Sequence, residues 1–343
     1  MTDTRTEPRK EFLKTHGWQD AAITPLAADA SFRRYFRLSL NGHPAMLMDS
    51  PPDKENLPAF LAIARHLTGM GFSAPDIYAE DIKTGFAILE DFGNSTYTRL
   101  LDAGEDTTPL YDMAVDVLMA LHEHDEATRV EAPPYDRAVL LREAGLLPDW
   151  HLPARRGHAT PDEVRASYIA AWNTIIDGLP PMSETIVLRD FHVDNLMRLD
   201  GRTGISACGL LDFQDALIGH PAYDLMSLLE DARRDLPQDM ARAMRAKYET
   251  CIPAGDREAF DLWYHVLAAQ RHAKVAGIFL RLCIRDDKDK YLRHIPRVMR
   301  LLESHLAHPA LAPLATWLKT NMPDRLEALP GMDAQKLRAE LVR

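Results

Sequence analysis

Val187-Leu-Arg-Asp-Phe-His-Val-Asp-Asn-Leu196, followed by Leu210-Leu-Asp-Phe-Gln-Asp215, is the stretch on which the fold and chemistry of this chain turn. Asp190 and Asn195 stand five positions apart, and Asp212 follows Asn195 by seventeen. Phosphoryl transfer requires groups of this kind. A carboxylate orients an acceptor hydroxyl and takes its proton, while an amide oxygen and a second carboxylate hold the Mg²⁺ that bridges nucleotide phosphates. Mg²⁺ binds hard oxygen ligands and takes few of them from protein. Asp190 is therefore read as the catalytic base, and Asn195 and Asp212 as metal ligands. An Asp and an Asn at that spacing alone would be ordinary turn residues. The added step to an Asp on a second apolar segment, read as a strand over Gly209–Phe213, makes the set specific.

Working outward, the residues before this stretch are rich in strand signals. A short helix is expected over Arg9–His16 and a strand from Ile23. A small-residue turn, Ala27 to Phe32, leads into Arg33-Arg-Tyr-Phe-Arg-Leu38, Asn41-Gly42 is a hairpin signal, and Ala45–Met48 reads as the returning strand. Asn56–Met70 has helical spacing, and Gly85–Leu89 is a short apolar strand. Beyond it, Leu110, Met113, Ala114, Val117, Leu118 and Leu121 recur with helical period. Helices are expected over 161–178, 222–236, 238–250, 256–284 and 290–306, and short strands at Ile186–Leu188 and Leu196–Leu199. The last residues, Pro309 to Arg343, read as helical and Pro-broken. The sum is an α+β, bilobal, protein-kinase-like fold. A small β-rich N-lobe for nucleotide binding spans residues 1–91, and a larger helical C-lobe carrying the catalytic loop and acceptor site spans 92–343.

Composition narrows the partners. With 343 residues the chain is long enough for two lobes. A net charge of −11 argues against nucleic acid as a partner. Cys208, Cys251 and Cys283 form no CxxC pair, which fits reduced thiols and a cytoplasmic protein. No apolar run reaches the ~20 residues that span a bilayer, so no membrane partner is expected. A monomer is the default expectation.

On these residues the chain resembles the aminoglycoside phosphotransferase/choline kinase superfamily. Its loop usually reads His-Gly-Asp-x-His-x-x-Asn; here it reads Leu188-Arg-Asp-Phe-His-Val-Asp-Asn195, with Leu188 and Arg189 in place of the first His and the Gly. Gly219-His-Pro-Ala-Tyr-Asp-Leu225 is similar to a later family segment, in which the residue matching Asp224 opens a helix and braces the loop. The resemblance implies ATP and Mg²⁺ as cofactors. Asp-Phe-Gly at Asp91–Gly93 precedes the Asp190 loop and so cannot be the metal segment. Glu90 and Phe92 are instead read as part of a hinge that contacts adenine through its backbone.

One family feature is missing. Kinases commonly carry a strand Lys that grips the nucleotide phosphates, and Ala45-Met-Leu-Met-Asp49 has none, with Met48 near the expected place. Arg33 and Arg34 are the candidate replacements, since a guanidinium holds phosphate in a bidentate fork. Ser31 and Phe32, in the small-residue turn, could offer backbone N–H groups. Both arginines would equally suit a solvated strand.

For the acceptor, Ala27–Arg37, the loop form Arg189–Asn195, and Gln270-Arg-His-Ala-Lys-Val-Ala-Gly-Ile-Phe-Leu-Arg-Leu282 resemble the bacterial anomeric kinases of N-acetylmuramate and N-acetylglucosamine. That resemblance implies a sugar substrate, an α-1-phosphate product and a place in peptidoglycan recycling. His192 and Asp194 are candidates for sugar hydroxyls, Trp150 and Tyr223 for an apolar sugar face or acetyl methyl, and Arg271, His272 or Lys274 for the lactyl carboxylate. Two other readings stay open: a kinase of an aminoglycoside, choline or another small alcohol, and a non-catalytic nucleotide-binding pseudokinase, which the missing Lys motivates. A protein kinase fits poorly, because six residues between Asp212 and Gly219 leave no room for a long activation loop.

Overall fold

A computed structural model describes residues 3–26, 32–181 and 183–342. Helix α1 (Thr6–Thr15) leads into β1 (Ala22–Pro25), β2 (Arg34–Leu40) and β3 (His43–Asp49), then α2 (Leu57–Gly69), β4 (Ile77–Asp81) and β5 (Phe86–Leu89). These strands form one antiparallel sheet in the order β1-β2-β3-β5-β4. The β2–β3 hairpin turns on Asn41 and Gly42 at φ 51° and 82°, values open to these two residues and to few others. Helix α2 starts where the Asn56 side chain accepts from the Ala59 N–H at 3.1 Å. It buries Phe60, Ile63, Ala64 and Leu67 along one stripe.

The rest is mainly helical: α3 (Tyr97–Asp102), α4 (Thr107–His122), α5 (Arg137–Ala144), a π-helical turn at Leu147–His151, α6 (Leu152–Arg156) and α7 (Asp162–Asp177). Four short strands interrupt, β6 (Thr185–Val187), β7 (Leu196–Arg198), β8 (Cys208–Leu210) and β9 (Leu217–Gly219); β6 pairs with β9 and β7 with β8. Then come α8 (Ala222–Leu229), α9 (Gln238–Tyr248), α10 (Arg257–Asp286), α11 (Ile295–His305), α12 (Ala312–Asn321) and α13 (Ala334–Leu341).

Packing groups the chain into two compact units, Met1–Pro133 with Leu188–Leu217, and Pro134–Val187 with Ile218–Arg343. This grouping by packing is a different division from a lobe boundary at residue 91. In the first unit, α1 closes over the sheet, with Phe12 stacked on Phe86 at 5.5 Å beside buried Leu13, Leu38, Leu47 and Ile88. In the second, α10 is the central column, with buried residues recurring from Phe260 to Ile284 and packed among Tyr168, Trp172, Val298, Leu302 and Leu314. Each such large apolar side chain contributes about 1.5–3 kcal/mol on burial. Gly277 on α10 lies so close to the chain before the π-helical turn that an added Cβ would sit 2.2 Å from the Leu146 carbonyl oxygen. Only glycine permits that approach. Among the described residues no helix is long and apolar enough to cross a membrane.

Several elements depart from the sequence reading. The helix expected over 222–236 ends at Leu229, because Glu230 leaves helical geometry at φ −122°, ψ 50° and the Asp231 side chain takes the Arg233 N–H at 2.7 Å. The strand expected over Gly209–Phe213 ends at Leu210, since Asp212 adopts φ 59°, outside strand geometry. Strand β4 and the π-helical turn were not foreseen. The first reads as a polar Ile-Tyr-Ala-Glu-Asp run, and the second contains Pro148 and is followed by Pro153, residues that favour ending a helix over widening it.

Candidate active site

The stretch from Leu188 to Asn195 is held by its own backbone. Asp190 N–H donates to Leu188 O at 2.8 Å and Asn195 N–H to His192 O at 2.9 Å, closing a tight loop at a 3₁₀ turn over Val193–Asn195. The Asn195 side chain then donates its Nδ2 to Asp190 O at 2.9 Å. With the nitrogen so engaged, the amide's oxygen is the end left to accept or to bind a cation. Leu211 N–H donates to Asn195 O at 3.0 Å, which ties the loop to the segment carrying Asp212. Arg189 reaches from the same loop to Asp215 O at 3.2 Å.

Two non-glycine residues here sit at left-handed φ, Arg189 at 69° and Asp212 at 59°. Such conformations cost of order 1–3 kcal/mol and persist where surrounding contacts over-determine them. At Asp212 those contacts are evident. Leu210 N–H is anchored to Ser73 O at 2.7 Å, and Phe213 stacks on Phe60 at 5.1 Å with planes 16° apart. Gly209 lets Phe92 lie against β8, since a Cβ there would come within 2.9 Å of the ring.

Arg33 completes this cluster. Its guanidinium lies 2.9 Å from Asp212 Oδ1 and 3.3 Å from Glu55 Oε2, and Nη1 donates to the Gln214 side chain. Burial opposes its charge, yet neighbouring Tyr35, Asp212 and Glu55 raise its pKa above the ordinary value. Gln214 Nε2 donates to Asp212 Oδ1 at 3.2 Å. Arg34 points elsewhere, to Asp49 Oδ2 at 2.6 Å and Asp3 Oδ1 at 3.0 Å. Asp49 is fully buried and also holds Arg5 at 2.5 Å, so the end of β3 carries a carboxylate ringed by arginines, one residue past the Met48 position where a Lys was expected. The sequence reading paired Arg33 with Arg34, and the structure separates them. It did not find Glu55 or Gln214, although Gln214 stands two residues past Asp212.

Other expected residues fall as follows. His192 is buried, and Thr98 donates to Asp194 Oδ1. Phe32 is exposed, its N–H donating to Glu55 Oε1 at 2.9 Å; Ser31 lies outside the described residues. Glu90 spends its N–H on Asp76 O at 2.8 Å and its carboxylate on Arg202 at 2.5 Å. All of these belong to the first unit. Trp150, Tyr223 and Arg271 belong to the second. Trp150 is half-buried in the π-helical turn. Tyr223 meets Tyr135 edge-on at 5.1 Å and accepts from Lys274 Nζ at 3.3 Å, with the Arg271 guanidinium 5.9 Å from its ring. Lys274 is also paired with Glu143 at 2.8 Å.

Residues 22–263 match the phosphotransferase enzyme family. The chain belongs to this family. The phosphotransferase is 34% identical to the N-acetylmuramate/N-acetylglucosamine kinase of Caulobacter vibrioides, over 94% of its own length and 98% of the relative's. It is 36% identical to the protein of the same name from Pseudomonas aeruginosa, over 93% and 94%. Its fold is that of the ADP-bound aminoglycoside phosphotransferase APH(2'')-Ib (TM-score 0.57, 16% identity, 87% of this chain and 97% of that one). It is also that of the choline kinase LicA from Streptococcus pneumoniae (TM-score 0.61, 12% identity, 87% and 100%). The expected bilobal kinase-like class is thus borne out: an antiparallel sheet first, a mostly helical remainder after it.

The donor set suits magnesium. Asn195 offers an amide oxygen whose partner nitrogen is already engaged. Asp212 offers a carboxylate that is 41% exposed and faced by Arg33 and Gln214, donors that a divalent ion can displace.

Proposed function

We propose that this phosphotransferase is an ATP-dependent sugar kinase that phosphorylates the anomeric hydroxyl of N-acetylmuramate and N-acetylglucosamine to give the α-1-phosphate. The observation that carries the reading is likeness over more than nine-tenths of the chain to kinases of that name. The loop geometry adds support, because Asn195 joins the Asp190 carbonyl to the Asp212 segment.

In this mechanism Asp190 accepts the proton of the anomeric hydroxyl as its oxygen attacks the γ-phosphorus. The bond from that phosphorus to the β-phosphate oxygen breaks, and ADP leaves. A hemiacetal hydroxyl is more acidic than an ordinary alcohol, so a carboxylate base need only orient it and take the proton late. Asn195 and Asp212 would hold Mg²⁺, which neutralises charge on the β- and γ-phosphates. Arg33 takes the part of the strand Lys, as its pairing with Glu55 and Asp212 suggests. Arg34, between Asp3 and Asp49, braces the sheet. Glu90 and Phe92, in the hinge, contact adenine through backbone N–H and C=O groups. Ser31 and Phe32 are the candidates to offer backbone N–H groups to the phosphates, and His192 and Asp194 the candidates for the sugar hydroxyls. Nucleotide binding on residues 1–91, acceptor binding on 92–343, a monomeric state and a cytoplasmic role in peptidoglycan recycling go with this reading.

Purified protein with MgATP and either amino sugar should yield a sugar 1-phosphate whose ³¹P–¹H coupling marks the anomeric position. Turnover of an aminoglycoside or choline with neither amino sugar consumed would replace the acceptor. No turnover of any alcohol, with nucleotide still bound, would leave a pseudokinase.

A further inference from the structure

The second unit carries a cluster of metal-binding side chain types with no part in the phosphoryl-transfer assignment. Glu230 sits just past the end of α8, His272 in the middle of α10 and His305 at the last position of α11. One atom from each converges: Nε2 of His272 and Nε2 of His305 lie 2.8 and 2.7 Å from the same Glu230 oxygen, Oε2. All three candidate ligand atoms fall within 4.8 Å of one another, and among the described residues no other group of three His, Cys, Asp or Glu does so. His272 is fully buried and His305 nearly so. We infer that Glu230, His272 and His305 form a structural binding site for a zinc-like divalent cation, separate from the magnesium-type oxygen pair of the first unit.

The chemistry of the donors selects the ion. Two imidazoles and one carboxylate suit Zn²⁺ and its first-row neighbours, whereas Mg²⁺ prefers oxygen alone. Burial holds His272 toward its neutral, lone-pair-bearing form, the form a metal requires. Outer partners orient two of the three ligands. Tyr264 OH donates to the other Glu230 oxygen, Oε1, at 2.8 Å, and His265 Nδ1 meets His305 Nδ1 at 2.8 Å. Such contacts fix ring tautomer and carboxylate direction at metal sites. Farther out, Asp261 lies 3.7 Å from His265 and 4.0 Å from His308, adding negative charge beside a cation. With metal–ligand bonds of about 2.0 Å the ligand atoms of a tetrahedral site stand roughly 3.3 Å apart. Each imidazole therefore draws back about half an ångström from Glu230 when the ion enters. The fourth position goes to a water or a further side chain.

Three helix segments distant in sequence meet at this point, so a bound ion would cross-link the second unit and act on stability. The test reads metal and not turnover, so its outcome is independent of the sugar-kinase proposal. Tag-free protein is stripped with chelator, desalted into buffer with excess Mg²⁺ to occupy the oxygen site, and titrated with Zn²⁺ against a chromophoric competitor. Stoichiometric Zn²⁺ retained through a second desalting, with a raised Tm, is the expected result. Glu230→Gln, His272→Gln and His305→Gln should each weaken retention about tenfold or more. Co²⁺-loaded protein should show visible bands of tetrahedral intensity that Zn²⁺ removes. Substoichiometric retention with no change in Tm would overturn the site and leave a carboxylate hydrogen-bonded by two histidines and a tyrosine. Retention unaltered in all three variants would overturn it as well, by placing the ion elsewhere. If the variants fail to fold, retention and the Co²⁺ spectrum of the parent protein decide.

Discussion

Two carboxylates, Asp212 and Glu230, show how one chain uses the same group in opposite ways. Asp212 is 41% exposed, sits in left-handed backbone and is held by an arginine and an amide. Glu230 is 15% exposed and receives Tyr264, His272 and His305. Although burial alone would raise its pKa, the charge of His305 and the hydrogen bonds from His272 and His305 hold it well below the usual carboxylate range. A charge that solvent can reach is open to a nucleotide's metal ion, whereas a buried charge that ties three helix segments together serves the fold, with or without an ion at its centre. The difference predicts that damage to the Asp212 region appears in turnover, and damage to the Glu230 region in stability.

The sharpest test of that contrast is the proposed base. Asp190→Ala should lower kcat by roughly 10²–10⁴-fold, the usual worth of general base catalysis, while MgATP affinity and Tm stay near the parent values. Equal activity of the variant in a coupled ADP-release assay would break the assignment.

Next in size is Arg33. Charge-assisted hydrogen bonds are worth about 1.5–3 kcal/mol, and every 1.4 kcal/mol is about tenfold in affinity. Arg33→Met should therefore raise the KM for MgATP by about ten- to a hundredfold, and Arg33→Lys should recover part of it. Arg34→Met should instead lower Tm and leave KM for nucleotide unchanged, because its partners are Asp3 and Asp49. If both arginine variants altered KM alike, the separation between them would fail.

On the other side, Glu230→Leu strips Tyr264, His272 and His305 of their shared acceptor. Leaving buried donors unsatisfied costs about 1–3 kcal/mol, so denaturation in urea should move to lower concentration while the residual native enzyme keeps its KM values. A changed KM with unchanged stability would reverse the comparison.

The most gradual effect is a pH slope carried by the second unit. Burial pushes His151 and His220 down to about 3 and His265 down to about 4, from an ordinary value of 6.5. The unfolded chain binds protons at these sites below pH 6.5 while the folded chain stays neutral. Their stabilisation is thus complete above 6.5 and is lost as pH falls toward 4. Glu230 has the same sign but acts lower, below its ordinary 4.5. Tm followed between pH 7 and 4 should fall, and His151→Leu should flatten the slope. A Tm independent of pH across that window would show these rings already protonated or exposed.

Much of the first unit was legible before any coordinates. Asn41-Gly42 announces its hairpin because few residues accept positive φ. The stripe in α2 shows in periodicity, and its start in the capping Asn56. The loop from Asp190 to Asn195 is readable because its bonds are local: Asn195 closes on Asp190 across five positions. Legibility failed where a local rule met a stronger contact. Helix α8 stops at Leu229 although the sequence keeps helical composition to 236, and β8 yields at Asp212 to a backbone angle no strand adopts.

The sequence by itself determined the kinase-like layout and singled out Asp190, Asn195 and Asp212 as candidates, since short-range hydrogen bonding and side chain period are properties of neighbouring residues. Only the tertiary structure decided that Arg33 rather than Arg34 reaches Asp212, across 179 positions, and that His272 and His305 meet Glu230 from 42 and 75 positions away. Those meetings depend on how whole helices and strands pack, and no window of adjacent residues carries that information.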